Sequence, residues 1–314
     1  MATSAERLPA VERAFAQLID YAGLFPPAKL AMAQAVEEYF ACREIAQAWM
    51  LGRFIVPASR IPELLEHYKR DEAIELSVIL DALPAPAQWT DNVSRILSEL
   101  AALARGESRV RIAALEVPLP PLLTLRDTFD ASIGQFAILS ENHSLRDLPA
   151  FLELPRGPRW RESLSGAMTV LHRYGLGAKI RCGGVVADAF PPPEDVAAFV
   201  MAAREEAVPY KATAGLHHPV RHLSMSGFMM HGFLNVLAAA VFARAGADAQ
   251  TLQAIVSEEQ PDAFVFDGAG LQWRELRATV EEIAETRARA FIAYGSCSFR
   301  EPVDDLTGIR ILER

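Results

Sequence analysis

The chain has 314 residues, of which 51% are hydrophobic and 23% are charged, as expected for a globular protein with a sizeable core. Its net charge of −9 argues against general nucleic-acid binding, so an anionic ligand would need a local basic pocket. The N-terminus has no apolar signal segment, the most apolar stretch is too short to span a bilayer, and three widely spaced cysteines indicate a reducing compartment. We therefore expect a cytoplasmic protein without membrane or nucleic-acid partners.

Short strand-like runs alternate with helix-like runs along the chain. The predicted strands are 17–25, 53–59, 75–83, 110–118, 147–155, 177–184, 208–215 and 262–270. Helix-like segments follow them, including a helical insertion at about 222–260 after the seventh strand and a long helix at 273–295, before a C-terminal tail at about 295–314. This pattern predicts a single α/β domain, a (β/α)8 TIM barrel. An open doubly wound sheet would need a GxGxxG turn where the first strand instead runs into AGLFPPA.

Polar residues are concentrated at the predicted strand ends, where TIM barrels carry their chemistry. These ends supply Asp20, Asp81, Glu116, Glu153, Lys179, Arg181, Lys211, Thr213 and Asp267. Because residues two apart in a strand share a face, Lys179 should point the same way as Arg181, and Lys211 the same way as Thr213. Both lysines should therefore face the barrel axis from neighbouring strands.

The two strand lysines stand out because the chain holds 31 Lys+Arg but only four lysines. Two buried ammonium groups close together would repel, and burial also disfavours the charge, so we expect a lowered pKa at Lys179. A neutral lysine amine attacks carbonyl carbon and forms a Schiff base. The alternative is that each buried lysine is merely paired with a carboxylate.

Glycines and arginines beside these lysines suggest a binding site for a small, anionic carbonyl compound. Gly183, Gly184 and Gly215 would let a substrate approach backbone N–H donors. Arg181 and Arg221 could hold a carboxylate or a phosphate, since guanidinium matches both geometries; otherwise they form surface salt bridges.

The segments GAKIRCGG and PYKATAGLHHPVR, together with LIDYAGLFPPA, resemble the 2-deoxyribose-5-phosphate aldolase family of class I aldolases. The resemblance implies that Lys179 forms the Schiff base, that Lys211 lowers its partner's pKa, and that Asp20 is the first-strand aspartate. Where the family has a proton-shuttling aspartate in the fourth strand, this chain has Ala114, and Glu116 follows two residues later. We expect Glu116 to take that role or the proton relay to be built differently.

A histidine cluster supports a competing interpretation. His217, His218 and His222 fall within six residues, and His218 and His222 have the i,i+4 spacing of a metal pair on a helix, although Pro219 opposes a helix here. With the barrel carboxylates they could serve a metal-dependent lyase or hydrolase. Otherwise His217 and His218 line the pocket and bind substrate oxygens.

The sequence thus predicts a class I aldolase-like lyase that forms a Schiff base with a small carbonyl compound. Phosphorylated and carboxylated substrates are both compatible with the arginines, and a homo-oligomer is compatible with the chain. We expect no cofactor and no bound metal. Cys297 is interpreted as a structural thiol, with a catalytic nucleophile as the alternative, and His231 with Asn235 as a packing pair.

Overall fold

The computed structural model describes residues 7–81, 88–122, 128–157, 159–184, 186–225 and 227–313. Its centre is a closed barrel of eight parallel strands, in which each strand pairs with its neighbours in chain order and the last pairs with the first. The barrel strands are β1 (Ile19–Tyr21), β2 (Leu51–Pro57), β3 (Ile74–Ile79), β4 (Val110–Pro118), β5 (Ala150–Glu153), β6 (Gly177–Arg181), β7 (Tyr210–Thr213) and, closing the barrel, β13 (Phe291–Ser296). The predicted TIM barrel is confirmed.

Helices surround the barrel and cover the outward faces of its strands. They are α1 (Pro9–Phe15), α2 (Met32–Arg43), α3 (Ile61–His67), α4 (Trp89–Gly106), α5 (Asp130–Asn142), α6 (Trp160–Tyr174), α7 (Pro193–Glu205), α8 (Phe233–Arg244), α9 (Ala249–Ser257), α10 (Val280–Arg289) and α11 (Arg300–Gly308). α8 is apolar almost all round, because it packs between α7, α9 and α10 as well as against the barrel.

The segment after β7 begins with an antiparallel pair, β8 (His222–Leu223) and β9 (Met229–Met230), and continues through α8 and α9. The predicted helical insertion therefore starts with a hairpin. A small antiparallel sheet follows, made of β10 (Phe264–Phe266), β11 (Gly270–Trp273) and β12 (Leu276–Thr279).

The prediction for the eighth strand is wrong. Segment 262–270 forms part of the small antiparallel sheet, and the barrel is closed by β13, whose residues were assigned to a long helix. Helix α10 begins at a capping box made by Thr279 and Glu282 and is separated from β13 by Ala290 alone. Since no glycine or proline marks that boundary, the helical pattern runs into the strand without a signal. Gly295, the last residue of the predicted long helix, lies inside β13 and is in register with Thr213.

Among the described residues, no helix combines the length and the apolar character that crossing a bilayer requires.

Candidate functional site

The two strand lysines lie side by side inside the barrel. Lys179 of β6 is in register with Lys211 of β7, and the two residues are 2% and 1% exposed. The alternation along the strands turns both side chains inward, as the sequence predicts. Such complete burial of ammonium groups requires compensating charge in the barrel interior.

Glu116 of β4 supplies part of that charge by lying between the two lysines. Its Oε2 is 2.6 Å from Lys179 Nζ and its Oε1 is 2.5 Å from Lys211 Nζ. Glu153 of β5 lies 3.1 Å from Lys179, and Asp20 of β1 lies 2.6 Å from Lys211. The four predicted catalytic residues, Lys179, Lys211, Asp20 and Glu116, therefore form one connected ion-pair network.

Ser77 and Arg53 complete the network, and the sequence interpretation did not include them. The Ser77 hydroxyl donates to Glu116 Oε1 at 2.7 Å and accepts from Lys211 Nζ at 3.0 Å. The backbone N–H of Arg53 donates to Asp20 Oδ1 at 2.7 Å. Ser77 is a buried polar residue between the apolar Leu76 and Val78, a signal like the one that identifies the lysines. Arg53 carries no such signal, because its short contact with Asp20 is made by the backbone N–H.

The carboxylates reverse the expected direction of the lysine pKa. Burial alone would lower the pKa of Lys179, but the ion pairs with Glu116 and Glu153 outweigh it and leave that pKa above its ordinary value. Burial would likewise raise the pKa of Glu116, yet the two lysines hold it well below its usual range. The prediction of a Lys179 pKa lowered by like-charge repulsion is therefore wrong, because carboxylates separate the two cations.

The mouth of the site is marked by Arg181, at the end of β6. Its side chain is half exposed, and its Nε donates to Glu153 Oε1 at 2.9 Å. Glu153 thus connects the buried Lys179 with a residue that reaches solvent. Lys211 is bound by Asp20, Glu116 and Ser77, which are all fully or almost fully buried. Asp20 in turn lies 3.8 Å from the partly exposed side chain of Arg53, at the other end of the barrel.

Thr213 and the predicted glycines also lie at this end of the barrel. Thr213 ends β7, and Gly183 and Gly215 follow β6 and β7. A Cβ on Gly183 would lie 2.7 Å from the Gly215 Cα, and one on Gly184 would lie 2.6 Å from the Ala189 Cβ. Gly215 also has a left-handed backbone, with φ +69°. In the structure these glycines therefore allow the loops after the two lysine strands to pack closely.

The histidines are distributed over separate partners beside the C-terminal helix. His217 Nδ1 lies 3.6 Å from the Cys297 Sγ, and His218 Nδ1 lies 2.6 Å from Asp305 of α11. The rings of His218 and His222 meet edge to face with centroids 4.4 Å apart. They lie in a loop and a short strand, so the helical metal pair of the competing interpretation is not formed. In the described part of the chain, no group of three or more His, Cys, Asp or Glu side chains is arranged to hold a metal ion.

Asp267 and Arg221 also lie outside the network. Asp267 follows β10 in the small sheet, where it pairs with Arg277 at 2.9 Å, so its placement at the barrel mouth is wrong. This error follows directly from the misassigned eighth strand. Arg221 pairs with Glu259 at 2.5 Å, which agrees with the alternative that this arginine forms a salt bridge.

The contacts of Asp81, His231, Asn235 and Cys297 revise or extend the sequence interpretation. Asp81 accepts a hydrogen bond from the Ser59 backbone and stays outside the lysine network. His231 and Asn235 do not pair with each other: His231 contacts the Pro191 carbonyl, while Asn235 donates to the carbonyls of Ile255 and Glu258. The contact of Cys297 with His217 was also missed, because the strand that ends beside Cys297 was read as a helix.

Comparison with known proteins adds no family assignment, since no protein-family model and no curated protein matches the chain.

Proposed function

We propose that the protein is a class I aldolase-like lyase in which Lys179 forms a Schiff base with a small carbonyl compound. The observation that carries the proposal is the position of Lys179 Nζ, 2.6 Å from Glu116 and 3.1 Å from Glu153. A buried amine beside two carboxylates has acceptors for the proton that it must lose before it attacks. TIM barrels commonly place such groups at the carboxyl ends of their strands.

Glu116 is the proposed proton acceptor. The Lys179 ammonium gives one proton to Glu116, and its nitrogen lone pair then forms a bond with the carbonyl carbon as the carbonyl π bond breaks and its oxygen takes this proton back from Glu116. The nitrogen of the resulting carbinolamine gives a second proton to Glu116, which passes it to the hydroxyl oxygen. The C–O bond then breaks, water leaves, and the nitrogen lone pair forms the iminium double bond. Once Lys179 is neutral, Glu116 faces one cation instead of two, which raises its proton affinity at the moment it must hold the proton.

Lys211 has a different role because three polar partners hold its amine in place. It is bound by Asp20, Glu116 and Ser77 and lies beside Lys179. We assign it to electrostatic stabilisation of the negative charge that develops on the carbonyl oxygen. Lys179 is preferred as the nucleophile because its partner Glu153 contacts the half-exposed Arg181 at the barrel mouth. Arg181 would then bind a phosphate or carboxylate of the substrate at the barrel mouth.

A purely structural role for the network is the second candidate. Its support is that every charge in the network has a partner and that both lysines are almost inaccessible. On the enzymatic proposal, a substrate reaches Lys179 only when the loops at the barrel mouth separate. On the structural one, the lysines never meet a carbonyl compound.

Borohydride trapping separates these two candidates. The native protein would be incubated with a panel of small aldehydes and ketones, neutral and anionic, and reduced with borohydride. The enzymatic proposal predicts a covalent mass increase of one substrate per chain, abolished when borohydride is omitted. Native protein that remains unmodified with every compound, while unfolded protein is modified at several lysines, would favour the structural role.

A further inference from the structure

A polar cavity lies at the end of the barrel opposite to Arg181. Its volume is about 630 Å³, and its walls include the starts of three barrel strands at Leu51, Ala73 and Ile292. Since the strands are parallel, this cavity lies at their amino ends, away from the Arg181 mouth. Its size is within the range of small-molecule sites.

Arg287 of α10 is the most unusual group in the cavity wall. Its terminal nitrogens donate to the backbone carbonyls of Phe291, Ile292 and Ala16, and its Nε is buried without a hydrogen-bond partner. No carboxylate pairs with it in the described part of the chain. Burial lowers its pKa to about 10, against the usual value near 12.5, because the loss of water around the guanidinium outweighs its attraction to Asp20.

Arg53 of β2 repeats this pattern. Its Nε is also buried without a partner, and its nearest carboxylate oxygen belongs to Asp20 at 3.8 Å. Arg13 of α1 and Arg43 of α2 add two further guanidinium groups to the same wall. Arg13 forms no ion pair within the described ranges, whereas Arg43 pairs with Glu72 outside the cavity.

The charge of the cavity is therefore positive within a chain of net charge −9. Four arginines line it, against the two acidic residues Glu12 and Glu75. Glu75 already pairs with Arg111, which leaves the arginines under-compensated. Two buried guanidinium N–H donors without acceptors are costly unless something else accepts from them.

We propose that this cavity binds a small phosphorylated molecule. Guanidinium groups on four separate elements suit the several oxygens of a phosphate or a diphosphate, and the concave shape favours a small molecule over a polymer. The cavity shares Arg53 with the lysine network but lies at the other end of the barrel from Arg181, so binding of an anion there does not require the proposed lyase activity.

Titration calorimetry with inorganic pyrophosphate tests the proposal, at fixed ionic strength in a phosphate-free buffer. We expect saturable binding of one pyrophosphate per chain, weakened at least tenfold in Arg13→Gln. The exposed Arg13 side chain makes this variant compatible with folding, which a thermal melt would verify. Arg105→Gln, which makes the same charge change at an exposed position of α4, should bind pyrophosphate as the unsubstituted protein does.

Three results would overturn the proposal. Absence of saturable binding would remove it, and equal weakening in Arg13→Gln and Arg105→Gln would show general charge attraction. Loss of binding in Arg181→Gln with retention in Arg13→Gln would place the anion at the mouth.

Discussion

The ammonium of Lys179 and the carboxylate of Glu116 lie 2.6 Å apart inside the barrel, and the other oxygen of the same carboxylate lies 2.5 Å from Lys211. One carboxylate therefore bridges two amines that are neighbours in the sheet. Taken with Glu153, Asp20 and Arg181, the network contains three positive and three negative groups. This balance explains how two lysines are buried in one small core.

Replacing Glu116 tests the bridge. Glu116→Gln leaves two buried ammonium groups without their shared counter-charge, so we expect the free energy of unfolding at pH 7 to fall by about 3–5 kcal/mol. Chemical denaturation would measure it. Glu63→Gln removes an equally charged but 39% exposed partner of Arg60, and should cost less than about 1 kcal/mol. Equal small losses in both variants would contradict the bridge.

Acid should weaken the unsubstituted protein more steeply than Glu116→Gln. The pKa of Glu116 and that of Glu153 are lowered in the folded state, so their stabilisation is complete above the unfolded value near 4.3 and is lost as the pH falls below it. Each such group adds up to about 1.4 kcal/mol per pH unit to the slope. We would measure the free energy of unfolding between pH 5 and pH 2.5 for both proteins. Its slope against pH should be shallower in Glu116→Gln by an amount that corresponds to about one proton. Parallel curves would contradict the lowered pKa of Glu116.

The contact between Asp20 and β2 requires a residue without a side chain at position 52. A Cβ on Gly52 would lie 2.3 Å from Asp20 Oδ1, the oxygen that accepts from Arg53. Gly52→Ala should therefore lower the free energy of unfolding by about 1–3 kcal/mol. Gly166→Ala, on an open helix surface, should be neutral or stabilising by up to about 1 kcal/mol. Thermal and denaturant unfolding of both variants would decide, and an unaffected Gly52→Ala would show that Asp20 is held elsewhere.

The cysteines should react slowly in the native protein. All three are buried, and burial raises the pKa of Cys42 to about 11, that of Cys182 to about 12, and that of Cys297 above its ordinary value. A chromogenic disulfide at pH 7.5 should label them over hours, but within minutes in denaturant. Fast native labelling confined to Cys297 would instead indicate that His217 activates this thiol.

Much of the barrel could be predicted because its strands and helices differ in period and are separated by turn residues. β4 was predicted at its observed bounds, since apolar residues end at a proline. β13 was not, because only Ala290 separates it from α10 and no local signal marks the change. Because of this one error, Asp267 was wrongly predicted at the site, and the contact of Cys297 with His217 was not predicted.

The candidate site was predictable in its members but not in its electrostatics. Strand parity is local, so it predicts correctly that Lys179 and Lys211 point into the interior. The sign of a pKa shift depends on which oxygens lie within about 3 Å, and these come from strands far apart in the chain, as the contact between Lys211 and Asp20 demonstrates. The sequence predicts that the two lysines are close enough to repel, but it does not predict that the Glu116 carboxylate lies between them.

Peptide mapping of a borohydride-trapped adduct identifies the lysine that forms the Schiff base. With a carbonyl compound that is trapped on the unsubstituted protein, we expect the added mass on the peptide that contains Lys179. Lys179→Met should abolish trapping, whereas Lys211→Met should still trap at Lys179, with an optimum at higher pH because Glu116 then pairs with Lys179 alone. An adduct on Lys211, or undiminished trapping by folded Lys179→Met, would contradict the assignment.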